Sequence, residues 1–528
     1  MVATAIAVLT GSLAWHFGVH QFPGYDASPL IDLAWRQFSG LRAHEDFFSP
    51  FPPTFGYPLA LAFTFFGVKW SSAIAINAVA CGLIVSLGIV WWSRLFGLLS
   101  ATIVFGIGAL QTMVFAGFWW HNTLGTMMAI LAATGFLAFR KGKAMWPLVA
   151  LVTGLAMVSK PNCTWPVLAA AFITSLRDHR SQTYGSRCGA LWVFSILIAV
   201  AVAESDGSAI GYFRDLASTV QQRGDLVPGW KGTEVLLTAK YPASDIWTSV
   251  LLVTSAALAL LLVSIRERDI ASSLRPHAVI RGGLLVSFIA SLMLNSEEPI
   301  VSWPLLTAAL LLQPAPSNTS RRPLIWLATA ILLIPVSQTV AMAHARERVR
   351  GAGEGNFWQI PEWSAPSPHP FFSGTVVSRR LIRFSDEVSR ALTAFPGKSV
   401  FFGPRVEFGY AAWSRSSAEG LPLWWDRHQS WPFNDAFWEN RLRAGWAIHN
   451  LDILVFVRNT LPSHPRLAWP HDADMYDIPD YLRHDFQQNY CDASAMLRLT
   501  SSVILVRRDL VVGRHVCRSG MLEADVRS

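Results

Sequence analysis

Residues 24–67 read GYDASPLIDLAWRQFSGLRAHEDFFSPFPPTFGYPLALAFTFFG. A short helix is expected from Pro29, because proline is well tolerated at the first helical position and Ser28 can cap it. Leu30, Leu33, Ala34 and Phe38 then share one face, which describes an amphipathic helix lying in a membrane interface. Gly40 ends it, and a second apolar stretch opens after Pro52-Pro53. Asp26 precedes the helix and Glu45-Asp46 follow it, so a loop folded back over the membrane would bring carboxylates together. An isolated Asp26 reads equally well as a capping residue.

The flanking sequence supplies the membrane. Of 528 residues, 52% are hydrophobic and only 15% charged, against about 25% charged in ordinary soluble domains. A purely soluble enzyme is excluded on that ground. The net charge of +8 is scattered in short runs between apolar stretches, unlike the one-sided patch of a nucleic-acid binder.

Met1 to Gly18 lacks a basic leader and a small-residue cleavage motif, so it reads as a retained first helix. Apolar spans follow at 71–93, 97–116, 123–139, 144–159, 161–176, 189–204, 246–265, 282–294, 300–313 and 324–343. The expectation is a polytopic α-helical membrane protein with about 11 transmembrane helices in 1–343 and a C-terminal exported α/β domain in 344–528.

Orientation follows the basic residues of short loops. Arg94, Arg140-Lys141-Lys143, Arg177-Arg180-Arg187, Arg266-Arg268-Arg275-Arg281 and Arg321-Arg322 alternate with loops poor in basic residues and are assigned to the cytoplasm. The opposite side receives loop 19–57, the turns around His121, Lys160 and Glu297, loop 205–245 and everything after Ala343.

The pairs 144–176 and 282–313 each cross twice in about 32 residues, too few for two full spans at about 1.5 Å per residue through a core of about 30 Å. Their turns, with Ser159-Lys160-Pro161-Asn162 and Glu297-Glu298, are expected below the surface. Lys160 there either snorkels outward or faces a wet cavity. His121-Asn122 after Trp119-Trp120 fits an aromatic belt with a capping Asn as well as a substrate site. Loop 205–245, with Tyr212, Arg214 and Arg223, reads as a mobile flap or a plain solvated loop.

In the C-terminal third, KSVFFGP, LDILVFV and SSVILVRR read as buried strands with a helical stretch at 375–394. Trp424-Trp425, Trp431, Phe433, Phe437 and Trp438 concentrate aromatics that could stack on sugars or pack on the membrane part, packing being favoured. Cys491 and Cys517 could pair if the domain is exported. Walker, GxSxG, zinc-spacing and Rossmann motifs are missing from the sequence.

An acidic residue after the first helix, a helix ending near Gly, an aromatic-rich Asp-Phe, Pro-Pro and a closing Phe-Gly resemble the GT-C glycosyltransferases. Within these the pattern is most similar to the protein O-mannosyltransferase and aminoarabinose transferase type. The matching positions are Asp26, Ala34, Gly40, Asp46, Phe47, Pro52, Pro53, Tyr57 and Phe66-Gly67, with WWHNTLG at 119–125 and GLAMVSKPN at 154–162. Family members usually carry two acidic residues after the first helix, whereas Asp26 is followed by Ala27.

The resemblance implies inverting transfer of a hexosyl or pentosyl group from a polyprenyl-phosphate carrier to a glycan, lipid or protein acceptor of the cell envelope. The setting it implies is the non-cytoplasmic face of a bacterial inner membrane. It implies Asp26 as general base, Glu45 or Asp46 orienting the acceptor, and Lys160, His121, Asn122, Arg214 and Tyr57 toward the donor. A divalent cation, magnesium or manganese, on Asp26 and Asp46 stays open. The rival readings are a lipid-linked-sugar flippase or transporter and a noncatalytic scaffold with an exported binding domain. An enzyme needs Asp26, Asp46 and Lys160 convergent on one cavity.

Overall fold

The structure is a computed structural model and describes residues 1–20, 22, 24–114, 116–177, 182–226, 276–294, 303–312, 364–417, 420–425, 436–458 and 478–511. The expected spans 246–265 and 324–343, Glu297-Glu298, Trp431, Phe433 and Cys517 lie outside them, as do the side chains of Asp26, Phe437 and Trp438.

The N-terminal part is a helical bundle. In chain order it comprises α1 (Val2–Val19), α2 (Gly24–Phe38), α3 (Gly56–Phe66), α4 (Trp70–Phe96), α5 (Leu98–Val114) and α6 (His121–Arg140). Then follow α7 (Trp146–Met157), α8 (Pro161–Arg177), α9 (Gln182–Asp206), α10 (Ala209–Leu226), α11 (Pro276–Leu294) and α12 (Trp303–Leu311). Among the described residues four helices are long and apolar enough to cross a membrane: α1, α4, α6 and most of α9. Exposed Val79, Leu83, Phe194, Ile196 and Leu197 on these helices have the composition of a lipid-facing surface.

Helix α6 is the axis of the bundle, buried from Asn122 to Phe139. Close approach elsewhere depends on small residues, as is common between membrane helices. A Cβ on Gly11 of α1 would stand 3.0 Å from the Ala78 carbonyl of α4, and one on Gly135 of α6 would stand 2.6 Å from the Trp91 ring.

Among the described residues, Arg94, Lys143 and Arg281 gather at one end. Arg94 donates to the Lys143 carbonyl (2.9 Å), Lys143 returns a bond to the Arg94 carbonyl, and Arg281 donates to the Leu312 carbonyl (2.9 Å). His277 packs its ring on Phe96 at that end. His121, Lys160 and loop 41–55 lie at the other. Arg266, Arg268, Arg275, Arg321 and Arg322 lie outside the described residues.

Four expectations are corrected. Helix α2 starts at Gly24 rather than Pro29, with Pro29 inside it, and the Ser28 hydroxyl donates to Glu407 of the C-terminal domain. Span 97–116 is not a uniform α-helix: Thr102–Ile107 and Leu110–Val114 are π-helical. The described part of loop 205–245 is helical, with Tyr212 and Asp215 buried, so at those residues it is not a solvated loop. Trp119 and Trp120 face inward rather than forming an exposed belt, Trp119 donating to the Phe55 carbonyl at 3.2 Å.

The C-terminal part is an α/β layer, as expected from its three apolar runs. Strands β1 (Ser364–Pro366) and β2 (Val376–Ser378) form an antiparallel ribbon. A second sheet has the order β3 (Val400–Phe402), β4 (Ile453–Val457), β6 (Ser502–Arg507), β5 (Tyr490–Asp492); β3 and β4 are parallel and the other pairs antiparallel. Helix α13 (Arg379–Ala394) buries Leu381, Phe384, Val388 and Ala391, a helical spacing, and Ser378 caps it by accepting the Leu381 N–H at 3.1 Å.

Helices α14 (Ala436–His449) and α15 (Asp480–Asn489) complete the layer. Buried Glu387 of α13 accepts the backbone N–H groups of Thr500, Ser501 and Ser502 at 2.7–3.0 Å, which fixes the entry to β6.

Candidate functional site

The α7–α8 turn is covered by the first loop. Helix α7 has 12 residues, a rise of about 18 Å, and its end is roofed by the first loop, where Thr54 donates to the Val158 carbonyl at 3.3 Å. Lys160 follows directly. Its side chain is only 8% exposed and donates through Nζ to Oδ1 of Asn122, the second residue of α6. Lys160 therefore turns inward rather than snorkelling, and Asn122 holds a lysine rather than capping its own helix, which has no side-chain cap.

Gly125, one turn along α6, makes room for this. A Cβ there would fall 2.6 Å from the Lys160 Cβ. The polar floor continues beneath, with the Cys163 thiol within 3.0 Å of the Ser291 hydroxyl of α11 and 3.9 Å of Thr126.

Aromatic rings wall the same place. Phe51 and Phe55 of the first loop make T-shaped contacts with the His121 ring at centroid distances of 5.4 and 5.6 Å. Phe51 also stacks on Trp424 of the C-terminal domain, 5.6 Å apart and 9° from parallel. Trp424 thus packs against the membrane part, as favoured from the sequence. The described geometry joins Lys160, Asn122 and His121 in one wall made by three segments distant in sequence.

A second cluster holds the loop that builds this wall. His44, with φ of +65°, lies buried between two carboxylates: Nδ1 is 2.9 Å from Asp215 and Nε2 is 3.6 Å from Asp206. Burial pulls the imidazole toward the neutral form, but the hydrogen bonds and charges of Asp206 and Asp215 prevail, and its pKa is raised. Arg214 donates to the His44 carbonyl at 2.6 Å and pairs with Asp215.

Gly207 allows the contact, since a Cβ there would meet the Ala43 carbonyl at 1.8 Å. Asp215 also accepts the Ser49 N–H at 3.3 Å, and the Ser49 hydroxyl accepts the Phe51 N–H at 3.3 Å, so one chain of contacts runs from His44 to the aromatic wall.

The other sequence candidates are placed differently. Asp46 accepts the Arg42 N–H at 2.7 Å, Glu45 pairs with the Arg42 guanidinium at 2.7 Å, and their carbonyls receive Arg441 of α14 at 2.8 and 2.6 Å. Both acids therefore close a turn and dock the C-terminal domain. Arg214 belongs to the His44 cluster, and Tyr57 is 45% exposed near the start of α3. Asp26 lies in the first turn of α2. Among the described residues no three His, Cys, Asp or Glu side chains gather to hold a metal ion.

Helix α2 carries the residues the sequence reading passed over. Ser28, Asp32 and Arg36 fall four apart and form a polar stripe, which lies against the C-terminal domain instead of water. Ser28 donates to Glu407 (2.6 Å), Ser417 donates to Asp32 (2.6 Å), and Arg36 donates to Asp32 (2.9 Å) and to the Leu421 carbonyl (3.0 Å). Burial pushes the Asp32 carboxyl up while Arg36 and Ser417 oppose it.

Gln37 on the other side donates to Asp206 at 2.5 Å, so α2 is clamped between the two parts of the protein rather than floating in headgroups. The four-residue polar spacing was visible in the sequence. What it faces was not.

No family model and no curated relative matches the chain. Among solved structures it is similar to a crystal structure of ArnT from Cupriavidus metallidurans bound to undecaprenyl phosphate, at 11% identity and a TM-score of 0.42, over 96% of this chain and 97% of that one.

Proposed function

We propose that the protein is a membrane glycosyltransferase of the GT-C kind that takes a sugar from a polyprenyl-phosphate carrier. The observation that carries this reading is the buried Lys160, fixed by Asn122 at the non-basic end of the bundle and faced by an aromatic wall. A cation held at membrane depth is costly unless it meets an anion or a wet cavity. A lipid phosphate supplies the anion, and the apolar helices around it supply a place for the prenyl chain.

In this proposal the acceptor hydroxyl or amine attacks the anomeric carbon from the face opposite the phosphate. Asp26 takes the acceptor proton as the new bond forms. The bond from the anomeric carbon to the phosphate oxygen breaks, and the lipid phosphate departs with its charge met by Lys160. Asn122 keeps the ammonium aimed, and Phe51, Phe55 and His121 exclude water from the path. Contributions of Arg214 and Tyr57 to the donor, and of Glu45 and Asp46 to the acceptor, belong to the same proposal.

No step is routed through a metal ion. A divalent cation on Asp26 and Asp46 is a separate proposal, decided by transfer with and without a chelator. A cell-envelope acceptor and a C-terminal domain on the non-cytoplasmic side of a bacterial inner membrane complete the reading; the disulfide-bonded state of Cys491 supports that side.

The experiment is sugar transfer from radiolabelled polyprenyl-phosphate sugars by purified wild-type and Asp26→Asn protein. Collapse of transfer in the variant is expected. Equal activity in the two removes Asp26 as the base.

A further inference from the structure

We propose that Glu407 of the C-terminal domain is a positioning residue for the α2 turn that carries Asp26, a role that rests on the transferase reading. Glu407 Oε2 accepts the Ser28 Oγ–H at 2.6 Å, and the same hydroxyl oxygen accepts the Phe408 N–H at 3.0 Å. Ser28 stands two residues after Asp26 in α2.

That stretch of helix needs an outside hold. Pro29 lies inside α2 and has no N–H to give to the Tyr25 carbonyl, so the turn containing Asp26 lacks one of its helical bonds. The bond between Ser28 and Glu407 ties this weakened turn to the segment after β3. Further along, Trp35 donates to the Arg415 carbonyl at 2.7 Å and Arg36 to the Leu421 carbonyl, so the rest of α2 is docked independently of Glu407.

The cost of the arrangement is evident. Glu407 is 1% exposed, and among the described residues its Oε1 has no hydrogen-bond partner. A buried carboxyl with one oxygen unsatisfied is destabilising, and native structures keep few such groups. Burial pushes this carboxyl up to about 8, opposed by the bonds from Ser28 and the local backbone and reinforced by the Asp32 charge. The bond from Ser28 favours the ionised carboxylate, so the hold on the turn is kept as this group loses its proton.

The test uses full-length protein in nanodiscs and the variants Glu407→Ala, Glu407→Gln and Ser28→Ala, each assayed for transfer and for backbone hydrogen exchange. In Glu407→Ala, kcat is expected to fall at least about ten-fold with KM for the lipid donor nearly unchanged, the signature of misplacement rather than lost binding. Exchange at residues 24–31 should accelerate while β4 stays protected. Glu407→Gln, which keeps an acceptor for Ser28, should restore kcat.

Wild-type kcat and exchange in Glu407→Ala overturn the proposal, as does a Glu407→Gln variant as impaired as Glu407→Ala. If wild-type protein transfers no sugar, the transferase reading fails separately. Exchange at 24–31 then decides: acceleration in Glu407→Ala upholds the hold on the turn, and no change refutes it.

Discussion

Lys160, at the head of α8, reaches across to Asn122, at the head of α6, and donates its Nζ proton to the amide oxygen. Two helix starts far apart in sequence thereby share one buried cation beside Phe51 and His121. Donor recognition is the role proposed for this pair.

Replacing Lys160 by Met keeps the stem and removes the charge. Transfer is expected to drop by about a hundred-fold or more, as for loss of a group that meets developing charge. Thermal stability should be retained or rise, because a buried cation is weak evidence for stability. Steady-state transfer beside a melting curve checks both, and undiminished turnover would remove Lys160 from the phosphate.

Gly125→Ala tests the packing beneath the lysine. The added methyl would sit 2.6 Å from the Lys160 Cβ, and overpacking of this kind costs about 1–3 kcal/mol. Both lower melting temperature and weaker donor binding are expected. A neutral effect on each would mean that the floor of the site yields easily.

His44 gives a pH dependence with a definite sign. Its pKa is raised in the folded protein, so its stabilising contribution is complete below the ordinary histidine value of about 6.5 and is lost as pH rises through the higher folded value. The groups facing it are Asp206, Asp215, Tyr212 and the Arg214 guanidinium at its carbonyl. His44→Gln should destabilise by about 3–5 kcal/mol through uncompensated carboxylates. The gap to wild type in melting temperature should narrow between neutral and mildly alkaline pH; a gap that widens contradicts the imidazolium.

Much of this arrangement was legible in the sequence because periodicity and length are strong signals. The runs around Ile453 and Val503 are apolar on both faces, and they form the buried strands β4 and β6. Helices at 71–93 and 123–139 matched α4 and α6 within a few residues. Lys160 was marked by being an ionisable residue in a turn too short to leave the membrane.

What stayed hidden depended on tertiary contact. Asp32 and Arg36 sit on an amphipathic helix whose apolar face alone drew notice, and only the contacts from Glu407, Ser417 and Leu421 show that their face is buried. His44 is a single histidine in a loop, and its two carboxylates come from residues more than 160 positions away. The Ser28 hydroxyl, read as a cap for a helix starting at Pro29, instead donates to Glu407 of the C-terminal domain, a partner no local rule contains.

The most direct test of the account is binding of undecaprenyl phosphate, followed by native mass spectrometry of wild-type and Lys160→Met protein released from the same detergent. A one-to-one lipid adduct on wild type that is strongly depleted in the variant is the predicted result. Absence of the adduct from wild type, or equal occupancy in both proteins, would contradict a lipid-phosphate site at Lys160.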